Sequence, residues 1–372
     1  MEPQFLLLVV FAGLFGVTVG SFLNVCIYRL PRPGLRVGRP VRSFCPTCGE
    51  QIEGRDNIPL FSWLALGGRC RSCRTPISVR YFVVESITAA LFVIVAFQFV
   101  PGVLEGTMPM AAWALYSVAV AGLVVATFVD IDLRQIPDEI SIGGMVIVPI
   151  AMLAFPQLHA RIADGTLSAW LGSSHGAIQN AGSFWPDAVR TGAGFWAIVV
   201  GFAAVCGVLG ALVYRRYRAR YLSELPNRPK DLVLSGVLSA STAGWLVAVT
   251  ADPQVLFTPR GYSLAATLFG MLVGSSLVFG VGVIGSKVFR KPAMGFGDVK
   301  LMGFLGGLVG FKAVVIGFFL ACLLGSVYGI GRLAVMKDRY LPFGPFLAAG
   351  CLFVTLFPEP VDSVIRWYLG LF

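Results

Sequence analysis

The feature that most constrains this chain is a repeated one: apolar runs of up to about 25 residues, at roughly 4–28, 81–100, 110–129, 140–155, 193–214, 232–250, 262–286, 299–311, 313–336 and 343–358. A helix of about 20 apolar residues crosses the ~30 Å of hydrocarbon in a bilayer, where every backbone polar group must be paired within the protein. Composition agrees, with 56% of the 372 residues hydrophobic and 13% charged, against about 25% charged in an ordinary soluble domain. A water-soluble globule is excluded. The expectation is an all-α polytopic membrane protein of about eight to ten transmembrane helices, in which 299–311, short and Gly-rich, is the least regular span.

The net charge of +10 would suggest nucleic acid on a soluble protein, but here the bilayer explains it and no nucleic-acid partner is expected. If residue 1 lies outside, the inward connections are 29–80, 130–139, 215–231, 287–298 and the segment around 332–341. Together with Lys300 they hold 24 of the 29 Lys and Arg. Basic residues resist translocation, so these connections face the cytoplasm. The first run is not expected to be a cleaved signal peptide, because Glu2 precedes it while Arg29, Arg32, Arg36 and Arg39 follow.

Two long hydrophilic segments remain, 29–80 and 156–192. The second is rich in Gly, Ser and Ala, carries both histidines (His159 and His175), and is expected to face outward. The stretch from Arg215 to Asp231 reads as a basic cytoplasmic linker.

The first segment contains Cys45-Pro-Thr-Cys48 and Cys70-Arg-Ser-Cys73. Each C-x-x-C pair presents two thiolates from one tight knuckle, and two knuckles close a tetrahedral S4 site for zinc. Disulfides are disfavoured in a loop placed in the reducing cytosol. A closed S4 site has no free coordination position, so its expected role is to hold the loop's shape. Cys26, Cys206, Cys322 and Cys351 lie inside apolar runs and read as small buried or lipid-facing residues.

Ionisable groups beside hydrocarbon are costly, and two clusters stand out. One is Asp130-Ile131-Asp132-Leu133-Arg134-Gln135-Ile136-Pro137-Asp138, directly after the third run. The other is Gly295-Phe296-Gly297-Asp298, directly before the eighth. Both face inward by the charge distribution and could meet. Two carboxylates held close share a proton, one activating water and the other protonating a scissile carbonyl, which allows peptide hydrolysis without a metal or covalent nucleophile.

Asp130 and Asp132 differ by about 200° on a helix, so only one can face a given partner. Pro137 ends the turn and leaves Asp138 as an N-cap of the next helix. Gly295 and Gly297 would let the backbone approach a bound peptide or reach positive φ around Asp298. The plainer readings are that Asp298 caps the helix from 299 and that Asp132 is a solvated charge.

These residues carry a resemblance. The chain resembles the type IV prepilin peptidases, membrane aspartyl proteases of the GxGD class. The match includes Gly20-Ser21-Phe22-Leu23-Asn24-Val25, Tyr28-Arg29-Leu30-Pro31, Asp56-Asn57-Ile58-Pro59, Arg69 to Cys73, Arg80-Tyr81 with Val84-Glu85, Asp130 to Asp138, Met294 to Lys300, and Pro342-Phe343-Gly344-Pro345.

The resemblance implies a bacterial inner-membrane enzyme that removes a short basic leader ending in Gly from pilin or pseudopilin precursors on the cytoplasmic side. It further implies N-methylation of the new N-terminus with S-adenosylmethionine in members bearing the four-cysteine loop. The catalytic aspartates carry over onto Asp130 and Asp298, with Asp132 the fallback for the first and Asp138, Gly295 and Gly297 in support.

The corresponding layout is a first helix over 1–28, a cytoplasmic cysteine loop over 29–80, helices with the first catalytic Asp over 81–155, an atypical insertion over 156–260, and helices with the GxGD element over 261–372. The 168-residue separation of Asp130 and Asp298 is longer than the family usually has.

A transporter or proton channel would also place acids at helix ends, but all the carboxylates lie at one face rather than at the midplane. Gly172-Ser173-Ser174-His175-Gly176 fits the serine-hydrolase pattern superficially, yet no strand precedes it and it is expected outside. There is no H-E-x-x-H for a zinc protease. Glu50, Glu53, Asp56 and Glu85 are the candidates to offset the loop's own basicity toward a basic leader.

Overall fold

The computed structural model describes residues 3–155 and 259–369 except for short gaps within 33–46, at 291–292 and at 337–340, together with scattered positions between 201 and 219. The apolar run at 232–250 and the segment with both histidines lie outside the described residues, as do the run at 193–214 and the basic linker apart from those scattered positions. The other eight runs are helices. In chain order the described α-helices are α1 (Pro3–Arg29), the short α2 (Phe61–Ala65), α3 (Arg80–Leu104), α4 (Met110–Leu133), α5 (Asp138–Ala154), α6 (Pro259–Phe289), α7 (Phe296–Val309), α8 (Phe311–Met336), α9 (Gly344–Leu356) and α10 (Pro358–Leu369), of which α2 and α10 match no run. Among the described residues there is no strand, only two isolated bridges in the cysteine loop.

Five described helices are long and apolar enough to cross a membrane: α1, α3, α4, and the segments Ala266–Phe289 of α6 and Phe311–Arg332 of α8. α10 corresponds to none of the apolar runs; its apolar residues recur at helical spacing among Glu359, Asp362 and Arg366.

The chain divides into two compact units. The first comprises Met1–Ile140, Arg332–Ala348 and Leu356–Phe372. In it α1 and α3 run antiparallel along a seam of small residues. A side chain at Gly16 would lie 2.9 Å from the Ala89 backbone, and one at Gly20 would lie 2.7 Å from Glu85 Cα. Small residues let membrane helices approach this closely, which is where their association energy comes from in the absence of a hydrophobic drive. Leu23, Ile27, Val84, Val124 and Val129 form a core shared by α1, α3 and α4, while Leu7 and Leu14 lie exposed on the outward face of α1.

The second unit comprises Ser141–Gly331 and Ala349–Thr355. Its centre is α7, in which every residue from Lys300 to Val309 is buried. At fourteen residues α7 is about 21 Å long, too short to span alone and consistent with a helix wrapped by others. α6 lies against it so closely that a side chain at Gly270 or Gly306 would collide with the other helix's carbonyl, and one at Gly307 would come within 2.7 Å of Met271. From α5, Met145 reaches the Gly303 position and Phe304 occupies the space left by Gly144. α7 begins three residues before the apolar run does, because Gly295, in extended conformation at φ −77° and ψ 147°, is its N-cap.

Candidate active site and cysteine centre

The cysteine loop folds as two matching knuckles. The Cys45 amide donates to Glu50 O and the Gly49 amide to Cys45 O, both at 2.9 Å. The Cys70 amide donates to Thr75 O at 2.9 Å and the Arg74 amide to Cys70 O at 3.0 Å. The fourth residue after each leading cysteine is left-handed, Gly49 at φ 74° and Arg74 at φ 60°; glycine adopts this freely, and arginine does so at a cost of about 1–2 kcal/mol.

The four sulfurs lie within 4.8 Å of one another, and Cys45 Sγ is 3.8 Å from Cys73 Sγ. Zinc–sulfur bonds of ~2.3 Å in a tetrahedron place sulfurs ~3.8 Å apart, so the donor set fits a four-coordinate metal ion. Its electrostatics fit as well. The Thr75 hydroxyl beside Cys73 draws that thiol down to about 6, and the Cys48 amide draws Cys45 down. Although the Glu50 amide favours a thiolate at Cys48, burial and the neighbouring Cys73 and Cys45 sulfurs push it up to about 12. Such crowding of like charge is what a divalent cation relieves.

The rest of the loop is braced by ion pairs and one buried carboxylate. Asp56 and Arg71 form a bidentate pair at 2.6 and 2.5 Å, and the Arg71 guanidinium holds the Asp56 carboxyl below its usual range. Arg55 pairs with Glu53 at 2.7 Å with both side chains exposed. Glu85, 7% exposed, accepts a 2.7 Å hydrogen bond from the Leu60 amide. Of the acids expected to offset the loop's basicity, three are thus engaged inside the molecule.

Asp130 occupies the last turn of α4 and is 6% exposed. α4 ends where Arg134 turns left-handed, its amide donating to the Asp130 carbonyl at 2.9 Å. The Asp130 carboxylate accepts a 3.1 Å hydrogen bond from the Gly344 amide, at the start of α9. A helix N-terminus offers free N–H groups and a positive dipole end to an anion, and Pro345, in its first turn, forfeits no helical bond.

Gly344 has little room to be anything else, since a Cβ there would stand 2.8 Å from Asp130 Oδ2 and 3.2 Å from Ile136 Cδ1. In sequence Gly344 stands only as part of Pro342-Phe343-Gly344-Pro345; 214 residues separate it from its partner, beyond the reach of any periodicity.

Asp132, two residues on, is partly exposed and paired with Arg80 of α3. The two acids of this turn therefore have different surroundings, as the angle between them requires. Asp138 is half-buried at the first position of α5.

Asp298 is half-buried in the first turn of α7, inside the helix rather than capping a helix from 299. Neither Gly295 nor Gly297 has positive φ, so that part of the expectation fails; the helix N-terminus forms directly from extended backbone. What glycine provides at 295 is space, because a side chain there would stand 3.5 Å from Asp298 Oδ2. Lys300, counted from the sequence only as an inward basic residue and part of a motif, is 3% exposed with its ammonium 5.7 Å from the centre of the Phe296 ring.

Fold and site together define a polytopic helical membrane protein with a four-cysteine centre and acidic residues at helix ends. Residues 14–99 match the bacterial peptidase A24 N-terminal domain and residues 232–330 the type IV leader peptidase family.

A type 4 prepilin-like proteins leader peptide-processing enzyme of Escherichia coli is 36% identical over 264 residues, 66% of this chain and 79% of that protein. A prepilin leader peptidase/N-methyltransferase of Aeromonas salmonicida is 27% identical over 96% of this chain and 92% of its own length. One from Myxococcus xanthus is 42% identical over 166 residues, 45% of this chain and 46% of that protein. The chain belongs to the type IV leader peptidase family. No solved structure matches it.

Proposed function

We propose that the chain is an aspartyl endopeptidase of the bacterial inner membrane that removes the basic leader from type IV prepilins or pseudopilins after Gly, on the cytoplasmic side, with Asp130 and Asp298 as its catalytic pair. The observation that carries this is Asp130, a carboxylate buried at the end of a membrane helix and met there by a backbone amide. A buried carboxylate needs such a reason.

In the reaction, one carboxylate takes a proton from water as the oxygen attacks the scissile carbonyl, and the other gives its proton to the carbonyl oxygen. Collapse of the tetrahedral intermediate breaks the C–N bond, with a proton passing to the leaving amine. Asp132, held by Arg80, is assigned to keeping the end of α4 in place.

Zinc at Cys45, Cys48, Cys70 and Cys73 would shape the 29–80 loop and supply no open coordination site. We extend the reading to N-methylation of the new N-terminus with S-adenosylmethionine, supported by the names of the relatives. The insertion expected over 156–260 overlaps the family match from residue 232 on, so 156–231 is the part we assign as added between the two aspartate-bearing parts of the chain.

The test is mass spectrometry of a co-expressed pilin precursor's N-terminus, which reads leader removal and the methyl group together. Asp130→Asn and Asp298→Asn should each lower cleavage by about 10³-fold or more, as loss of an acid–base group does, while Asp132→Asn keeps most activity. Cleavage that survives Asp298→Asn would overturn the assignment.

A further inference from the structure

The segment between the two cysteine knuckles has one face fixed to the protein and the other facing out. On the fixed face, the Ser62 hydroxyl accepts from the Ile58 amide and donates to Arg55 O, both at 2.9 Å. Trp63 packs against Phe82 of α3 with ring centroids 5.5 Å apart and the rings tilted at 42°, and donates its Nε1–H to Ile77 O at 3.3 Å. Leu60, between them, is left-handed at φ 61° and ψ −52°. A leucine stays in that region only where its surroundings insist; here the buried Glu85 carboxylate receives its amide. On the other face Ile58, Phe61 and Leu64, at i, i+3, i+6 spacing, are 49%, 64% and 60% exposed.

The depth of this face follows from its anchors. α3 begins at Arg80, so Glu85 lies about 7.5 Å along it toward the hydrocarbon, and its side chain leans back toward the helix N-terminus. The Leu60 amide it holds therefore lies between the levels of Arg80 and Glu85. Phe82, which carries Trp63, is in the first turn of the same helix. A headgroup layer is about 5–8 Å thick, so the segment runs at interface level. The same loop carries exposed arginines, Arg69 and Arg74, with Arg55 exposed and paired to Glu53. Exposed apolar residues in a segment flanked in sequence by arginines are the pattern of an interfacial segment on anionic lipid.

We infer that Ile58, Phe61 and Leu64 insert into the cytoplasmic interface of an anionic phospholipid bilayer, making the cysteine loop a membrane-seated part of the molecule. The loop would then be fastened through Glu85 within the protein and through this face to lipid.

The test uses the full chain in phosphatidylethanolamine–phosphatidylglycerol vesicles, with a fluorescent amino acid introduced by stop-codon suppression at position 61, 64 or 55. Labels at 61 and 64 should be quenched by lipids brominated near the headgroup and shielded from aqueous iodide, while the label at 55 shows the reverse. Strong iodide quenching at both 61 and 64, in protein whose metal content matches that of the unlabelled chain, overturns the proposal. Shielding that arises only when a pilin precursor is added also overturns it, assigning the face to substrate. The readout does not depend on cleavage, so it stands or falls separately from the peptidase reading.

Discussion

Replacing Gly344 by Ala tests the link between fold and chemistry with a single methyl. The backbone tolerates it, because Gly344 is not among the residues of positive φ. The methyl carbon, however, would stand 2.8 Å from Asp130 Oδ2 and 3.4 Å from Asp130 Cγ, against the roughly 3.5 Å of an ordinary non-bonded contact. The carboxylate must retreat by about half an ångström or more, and the 3.1 Å bond from the Gly344 amide lengthens past useful geometry.

A hydrogen bond to a charged group contributes about 1.5–3 kcal/mol, equivalent to roughly a ten- to hundredfold change in rate. Misplacing a catalytic group by ~1 Å costs a similar factor. The expected result is therefore a kcat lowered about ten- to a hundredfold with KM near its original value, measured on a purified precursor in detergent. Thermal unfolding in the same detergent gives the control, since Ile136 Cδ1, 3.2 Å from the new methyl, is a side-chain tip that can rotate away. A Gly344→Ala enzyme with unchanged kcat would refute the reasoning, as would a rise in KM alone.

Gly306→Ala should behave differently, because its methyl meets the backbone of α6, which cannot rotate aside. Overpacking of this kind costs about 1–3 kcal/mol or more, so the variant should unfold several degrees lower in detergent, and an unchanged midpoint would count against the packing described. Metal removal by a strong chelator should expose the 43–77 loop to protease while leaving α3 and α4 resistant; equal resistance before and after chelation would mean that the knuckles stand without metal.

The membrane helices were legible because their physical cause is local: an apolar run of sufficient length is a helix wherever it lies in a bilayer. The runs at 4–28, 81–100 and 110–129 correspond within a few residues to α1, α3 and α4. α7 was legible only in outline. Its Gly-rich run looked irregular for a lipid-facing span, and the structure gives the reason, since those glycines admit α6 and α5 to a helix buried on every side.

The cysteine centre could be read from spacing because each knuckle is a short-range construction. The surroundings of Asp130 could not, since its partner is a backbone amide from a distant segment, and a backbone amide leaves no mark on residue type. Leu60 was equally invisible: its left-handed backbone contradicts its own propensity and exists because Glu85 captures its amide.

The meeting of α6 and α7 at Gly270 and Gly306 leaves no thickness between the two helices for a lipid tail or a water molecule. Surfaces in such intimate register do not slide, so the pair is one stiff beam bearing Asp298 near its tip. With Asp298 catalytic as proposed, any rearrangement that admits an extended substrate to that tip has to swing the beam as a whole, and a crosslink fastening α6 to α7 should leave turnover unimpaired.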